Sequence, residues 1–356
     1  MNEEKLKTKL ESIVDPDLGK TLGQLGAIKS VEKSGGRFAV RLELVPPVEF
    51  AEKRILQSIR EALGSKADSV DVETTALELP PQKRKTLGKA RNIIAVASGK
   101  GGVGKSSIAA NLATALAQTG ARVGIIDGDV YGPSQPLMFG LPSVNMPAAR
   151  AEDGTVIASP HESHGVKVAS MGFILNRDEA AIVRGPLLAG YFSLLFEKVD
   201  WGELDYLVFD LPPGTGDIQL TLVQKIPLDG AVIVTTPQEI ALSDVRRSIS
   251  MFRRVNVDIL GVVENMSWFA PPEAPDKKYY IFGQGGGKKI SEEMGVKLLA
   301  EVPLSIEMRD STDSGMPQVL KKDSPQSAPL MELAEKVASA LRVKNSKRQP
   351  AMEISL

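Results

Sequence analysis

The 356-residue sequence contains no cysteine. That absence excludes disulfides, thiolate metal sites and a cysteine nucleophile. Histidine is nearly missing as well, with only His161 and His164, in His-Glu-Ser-His. Such a pair reads either as half a metal site or as a polar loop ahead of a strand over 166–170. Two histidines do not complete a coordination sphere, which favours the loop. No apolar run approaches the roughly 18 residues of a membrane span. The polar, charged start Met1–Lys9 also lacks the apolar stretch of a secretory signal. A soluble, cytoplasmic protein that works without a membrane is expected. An excess of one charge is lacking too: 43 Lys and Arg stand against 44 Asp and Glu, a formal net charge of -1. Without a strongly basic balance, nucleic acid is not expected as a partner.

What is present suits a globular α/β chain. With 42% hydrophobic residues and more than twice the roughly 150 residues of one domain, two cores are possible. Residues 1–78 alternate in the manner of a small α/β domain. Helical spacing over Glu3–Ile13, a turn at Asp15-Pro16-Asp17, a strand over Arg37–Leu44, an amphipathic helix over Ala51–Leu63 and a strand over Ser69–Leu77 follow from periodicity and turn chemistry. The stretch 79–91, with Pro80, Pro81 and the basic run Lys83-Arg84-Lys85, reads as a linker. Over 92–343, apolar runs at Ile93–Ala97, Val123–Asp127, Tyr206–Asp210, Gly230–Thr235 and Ile259–Glu264 alternate with helical segments. That alternation predicts a mostly parallel sheet covered by helices on both faces. The polar, basic end 344–356 reads as a flexible tail. The helical segment Ser327–Arg342 just before it has Leu330, Leu333, Ala334, Val337 and Leu341 on one face, as a packed helix would.

Ligands of parallel sheets sit beyond the carboxyl ends of the strands, and the chemistry-bearing motifs fall there. The run Gly99-Lys100-Gly101-Gly102-Val103-Gly104-Lys105-Ser106-Ser107 lies between a strand and a helix, the context a phosphate-binding loop requires. Glycines let successive backbone N–H groups turn inward around an anion, and the helix that follows adds its positive end. Lys105 is placed for the β- and γ-phosphates of a nucleotide and Ser106 for Mg²⁺. Lys100 is an extra lysine that an ordinary loop of this kind does not need.

Asp127-Gly128-Asp129 ends the second strand of this series, where an acidic pair suits metal-bound or attacking water, although a plain Asp-Gly turn would look alike. Asp210 ends Tyr206–Asp210, and a carboxylate buried there needs a partner such as Mg²⁺ with its waters. The Pro212-Pro213-Gly214-Thr215-Gly216-Asp217 loop beyond it reads as a γ-phosphate switch or as a rigid turn. Asn265, in Glu-Asn-Met-Ser after the strand Ile259–Glu264, reads as an adenine contact or as a helix cap.

Taken together, the phosphate loop with its two lysines, Asp-Gly-Asp-Val-Tyr131-Gly-Pro-Ser, Arg184-Gly185-Pro186, Asp210-Leu-Pro-Pro-Gly-Thr-Gly-Asp217 and Glu264-Asn-Met-Ser267 resemble the Mrp/ApbC family. These are iron-sulfur cluster carrier ATPases within the deviant Walker group that includes MinD and ParA. Ile281-Phe-Gly-Gln-Gly-Gly-Gly287 and Asp313-Ser-Gly-Met-Pro317 fit the same family, and 1–78, with Val14-Asp-Pro-Asp-Leu-Gly19, is similar to the small domain of iron-sulfur assembly factors. The resemblance implies ATP and Mg²⁺ as cofactors, hydrolysis of ATP, a homodimer in which Lys100 reaches the partner's nucleotide, and iron-sulfur apoproteins or assembly factors as clients. It further implies that Asp129 activates water, that Ser106 and Asp210 serve Mg²⁺, and that Asn265 meets adenine. One departure is plain. Where relatives carry Cys-Pro-x-Cys, this chain has Pro271-Pro272-Glu273-Ala274, and near a further cysteine position of the small domain it offers Glu49. Neither proline nor alanine ligates iron, so no iron-sulfur ligand is identified. A MinD- or ParA-like positioning ATPase and a nucleotide-switched adaptor are the alternative readings.

Overall fold

The computed structural model describes residues 2–80, 87, 89–130, 132–142, 144–150, 155–174 and 185–348. Tyr131 and Arg184 of the motifs above, most of the linker and the last eight residues of the tail lie outside them. The chain divides into two units, one made of 1–82 and 338–356 and one of 83–337.

The small unit builds a three-stranded sheet from β1 (Ile28–Ser34), β2 (Arg37–Leu44) and β3 (Val70–Ala76), in that order, with β1 antiparallel and β3 parallel to β2. The helices Glu3–Glu11 and Glu49–Leu63 bury Leu6, Leu10, Ile55 and Ile59 with the alternating Phe38, Val40, Leu42 and Leu44 of β2. The period of two in β2 thus meets periods of three and four in the helices, which closes one apolar core. Strand β1 was not expected from periodicity. It holds no fully buried side chain and ends in three exposed residues, so the apolar signal that marks a strand is faint there.

In the large unit, β4 (Ala90–Ser98) and β5 (Val123–Asp127) precede a two-stranded ribbon of β6 (Ala148–Arg150) and β7 (Val156–Ala158). Then come β8 (His161–Ser163), β9 (Val166–Ser170), β10 (Leu204–Asp210), β11 (Gly230–Thr235), β12 (Ile259–Phe269) and β13 (Leu298–Leu304). The main sheet runs β13-β12-β11-β4-β10-β5-β9-β8 and is parallel except for β8. Strands β4, β5, β10 and β11 are buried almost throughout, as near-continuous Val, Ile and Ala runs require when helices cover both faces. Two local expectations change. His161 lies in the short strand β8, not in a loop, because the positive φ of His164 and Gly165 reverses the chain so that β8 pairs with β9. Residues 344–346 are helical, not a flexible tail. The final helix runs Ala328–Ser346, and Asn345 Nδ2 donates to the Pro46 carbonyl at 3.0 Å, a tertiary bond that a polar, basic sequence does not disclose.

The topology positions the site. Strand β10 lies between β4 and β5, so the helix Lys105–Ala117 that joins β4 to β5 crosses over it. In register, Asp210 stands beside Val96 of β4 and beside Asp127 of β5. Three neighbouring strands therefore end together under the loop that leaves β4.

Candidate functional site

The loop 99–104 is shaped by its glycines. Gly102 and Gly104 have φ of 78° and 80°, the left-handed region that a side chain disfavours. Gly99 is a close approach: an added Cβ would lie 2.4 Å from Cβ of Asp244 on the helix Glu239–Arg254. The turn begins with Ser98, whose hydroxyl donates to the Lys100 carbonyl at 2.9 Å. Gly104 is the residue before the helix Lys105–Ala117, so the first N–H groups of that helix face the loop.

Beneath the loop lies a buried charge cluster. Lys105, 6% exposed, forms an ion pair with Asp210, which is fully buried. Lys105 Nζ also donates to Ser106 Oγ at 3.2 Å. The other Asp210 oxygen accepts from Gln135 Nε2 at 2.8 Å, and the same nitrogen donates to the Ser106 carbonyl at 3.1 Å. Next to them, Asp127 accepts from the backbone N–H groups of Asp129, Ser134 and Gln135 at 3.2, 2.9 and 3.0 Å and from Ser170 Oγ at 3.0 Å. This carboxylate thus holds the backbone at Asp129, Ser134 and Gln135. Burial, and then the charge of Asp210, push Asp127 up to about 7, against the lowering effect of its backbone donors and of Lys105.

The sequence-predicted residues are not all brought together. Lys105, Ser106 and Asp210 touch. Asp129 is half-buried, and its carboxylate accepts from Gly132 N–H at 3.2 Å, with no hydrogen bond or ion pair to Lys105, Ser106 or Asp210 among the described residues. Lys100 is half-buried, and among the described residues its ammonium has no ion-pair partner. Asn265 is neither loop nor helix cap. It lies inside β12, which continues to Phe269, and its amide donates to the Val103 carbonyl at 2.9 Å, pinning the phosphate loop from the side. The residue after it, Met266, has φ of 56°, which bends β12 at this point. Gly214 N–H donates to the Ser98 carbonyl at 3.0 Å, so the Pro-Pro-Gly loop is tethered where the phosphate loop begins.

Three contributors were missed from the sequence: Gln135, Ser170 and Asp244. Ser170 could have been found as the last residue of β9, on the same end of the sheet as Asp127 and Asp210. Gln135 and Asp244 carry no such signal, because helix packing alone brings them in.

Mg²⁺ takes oxygen ligands and keeps several waters. The residues present suit it: the Ser106 hydroxyl, the Asp210 carboxylate, and Oε1 of the Gln135 amide that bonds to both residues, buried without a hydrogen-bond partner. An orphaned buried oxygen costs roughly 1–3 kcal/mol, and a hydrated cation would relieve it. The segment after β12 does not suit an iron-sulfur cluster. Phe269 and Tyr279 exchange two backbone hydrogen bonds of 2.8 Å, and turns close from Ala274 N–H to Pro271 and from Lys277 N–H to Ala274 at 3.0 Å. Lys278 Nζ sits 4.0 Å from the Trp268 ring centroid. No thiolate exists in the chain, and among the described residues no group of three or more His, Asp and Glu is gathered to hold a metal ion.

Comparison with known proteins agrees with this geometry. Residues 89–338 match the family described as NUBPL iron-transfer P-loop NTPase, and residues 3–74 match the iron-sulfur cluster assembly protein family. An iron-sulfur cluster carrier protein of Synechocystis is 45% identical over 338 residues, spanning 93% of this chain and 95% of that protein. Among solved structures, the Archaeoglobus fulgidus nucleotide-binding protein in complex with ADP is 37% identical with a TM-score of 0.59, over 68% of this chain and 92% of that one. The cell division ATPase MinD of Pyrococcus furiosus, 24% identical with a TM-score of 0.52 over 69% of this chain and 98% of its own, shares the fold. The chain belongs to the iron-sulfur cluster carrier family of P-loop NTPases, with a MinD/ParA-like fold.

Proposed function

We propose that the chain is a slow, Mg²⁺-dependent ATPase that keeps the nucleotide machinery of the cluster carriers and has lost the thiolate site for their cargo. The observation that carries this reading is the buried Lys105–Asp210 pair at the head of the phosphate-loop helix. A cation and an anion so deeply buried are costly to strand, and here they hold each other in wait. Lys105 leaves Asp210 for the β- and γ-phosphates, while the N–H groups of 101–104 cradle them. Ser106 and Asp210 would hold Mg²⁺, which when bound would neutralise charge developing on the phosphates. Asp129 turns from Gly132 to orient the attacking water. Asn265 keeps Val103 in place through its amide N–H and meets adenine with the rest of its side chain.

Lys100, half-buried and without an ion-pair partner among the described residues, reaches the nucleotide of a second copy, so that ATP drives a homodimer in the cytoplasm. Clients are iron-sulfur apoproteins or assembly factors, met through a surface that follows the nucleotide state. Isothermal titration with Mg²⁺-ATP and a phosphate-release assay test the site. Wild type should bind and turn over ATP, and Lys105→Ala that keeps both would remove the assignment. Anaerobic reconstitution with iron and sulfide tests the cargo claim: stoichiometric bound iron would overturn the loss of the cluster site.

A further inference from the structure

Gln135 is fully buried at the start of the short helix Gln135–Met138. Its NH₂ group has two partners, and both are acceptors: the Ser106 carbonyl at 3.1 Å and Asp210 Oδ2 at 2.8 Å. Two acceptors on one atom fix which end of the amide is nitrogen. The oxygen end, Oε1, is then left buried with no hydrogen-bond partner. The preceding side chain repeats the pattern, since Ser134 Oγ is buried and unpartnered too. The loop that carries both is held by Asp127, which takes the backbone N–H of each. One side chain therefore grips the two residues read as Mg²⁺ positions and presents a spare acceptor next to them.

We propose that Gln135 is a positioning residue for the divalent cation of the nucleotide. Its NH₂ group aims the Asp210 carboxylate and, through the Ser106 carbonyl, the first turn of the phosphate-loop helix. Its Oε1 accepts a hydrogen bond from water carried by the cation. Mg²⁺ gives up its waters reluctantly, and those waters are hydrogen-bond donors, so an acceptor is the group that complements the hydrated ion. An apolar side chain at 135 would leave the Ser106 carbonyl and Asp210 each one donor short and offer the waters nothing. The inference rests on the reading of Ser106 and Asp210 as the Mg²⁺ positions.

The test is the coupling between Mg²⁺ and nucleotide, read on the full chain by titration calorimetry as the ratio of the ADP dissociation constant in EDTA to that in Mg²⁺. In wild type this ratio should exceed one. Gln135→Met, which conserves volume and removes the acceptor, should lower the ratio by about five- to ten-fold, the worth of one net hydrogen bond, with affinity in EDTA changed by less than about two-fold. Gln135→Glu keeps an acceptor and loses the NH₂ group that holds Asp210 and Ser106, so it should recover part of the ratio that Gln135→Met loses. Gln135→Ala takes the place of Gln135→Met if that variant does not fold. Equal loss of affinity in both media would reduce Gln135 to a structural prop and overturn the proposal, as would a ratio in Gln135→Glu no higher than in Gln135→Met. Wild-type binding indifferent to Mg²⁺ would overturn it through the Mg²⁺ positions, and absence of any ADP binding would overturn the ATPase reading itself.

Discussion

Arg342 in the small unit and Lys105 in the large one are both cations buried against aspartates, and they are satisfied to different degrees. Arg342, 1% exposed, makes a bidentate pair with Asp15 at 2.7 and 2.6 Å, reaches Asp17 at 3.0 Å and donates its Nε to the Val45 carbonyl at 2.8 Å. Asp15 in turn accepts from the N–H groups of Asp17 and Leu18, and Asp17 from Arg54 and Ser339. The planar guanidinium matches carboxylates in this way, and every nitrogen of Arg342 has an acceptor. Around Lys105 the cluster is open: Gln135 Oε1 and Ser134 Oγ have no partner, and Asp127 is held up to about 7. A closed network holds a fold together, whereas an open one with a perturbed acid marks a place where something else binds.

The contrast can be broken first at Arg342. Arg342→Ala leaves Asp15 buried without its cation, and urea denaturation should show a loss of about 3–5 kcal/mol with little change in nucleotide affinity. An equal loss of affinity would erase the distinction between the two clusters. Lys105→Ala should do the reverse, lowering turnover by about 10²- to 10³-fold. Its melting temperature should fall less than that of Arg342→Ala, because Asp210 keeps the hydrogen bond from Gln135.

Asp127 sharpens the comparison through pH. Its folded value is raised from 3.8 to about 7, so the folded chain holds a proton that the unfolded chain releases. The associated stability is fully present below 3.8 and is lost as pH rises through about 7. Stability measured by urea denaturation should therefore favour wild type over Asp127→Asn most at acid pH, with the advantage shrinking toward neutrality by a few kcal/mol at most. An advantage that grows with pH would show that the three backbone donors outweigh burial. The smallest effect is expected at Asn265→Ala, about 1 kcal/mol for the lost bond to Val103, seen as a few-fold weaker nucleotide binding.

Much of the site was legible because phosphate binding constrains backbone and side chain within one short stretch. Gly102 and Gly104 are needed for their φ, and Lys105 and Ser106 for their atoms. Asp210 was legible as an acid closing an apolar strand. Asp129 was singled out by the same logic, yet the structure gives the burial and the four hydrogen bonds to Asp127, two residues earlier in the same motif. Asn265 was placed at the site for a different contact from the one observed, since nothing local shows that β12 runs past it and bends at Met266.

What the residues alone determined is what local spacing encodes: the parallel-sheet class, the phosphate loop, the acid at the end of β10, and the loss of every thiolate ligand, which one absent residue type decides. The tertiary structure decided which side chains meet. The crossing of the helix Lys105–Ala117 over β10 sets Asp210 beside Asp127, and the docking of the loop 128–135 brings Gln135 to Ser106. The end of the final helix carries Arg342 to Asp15, more than three hundred residues away in the chain. Such contacts depend on register and packing between distant segments, and no period or motif within one segment records them.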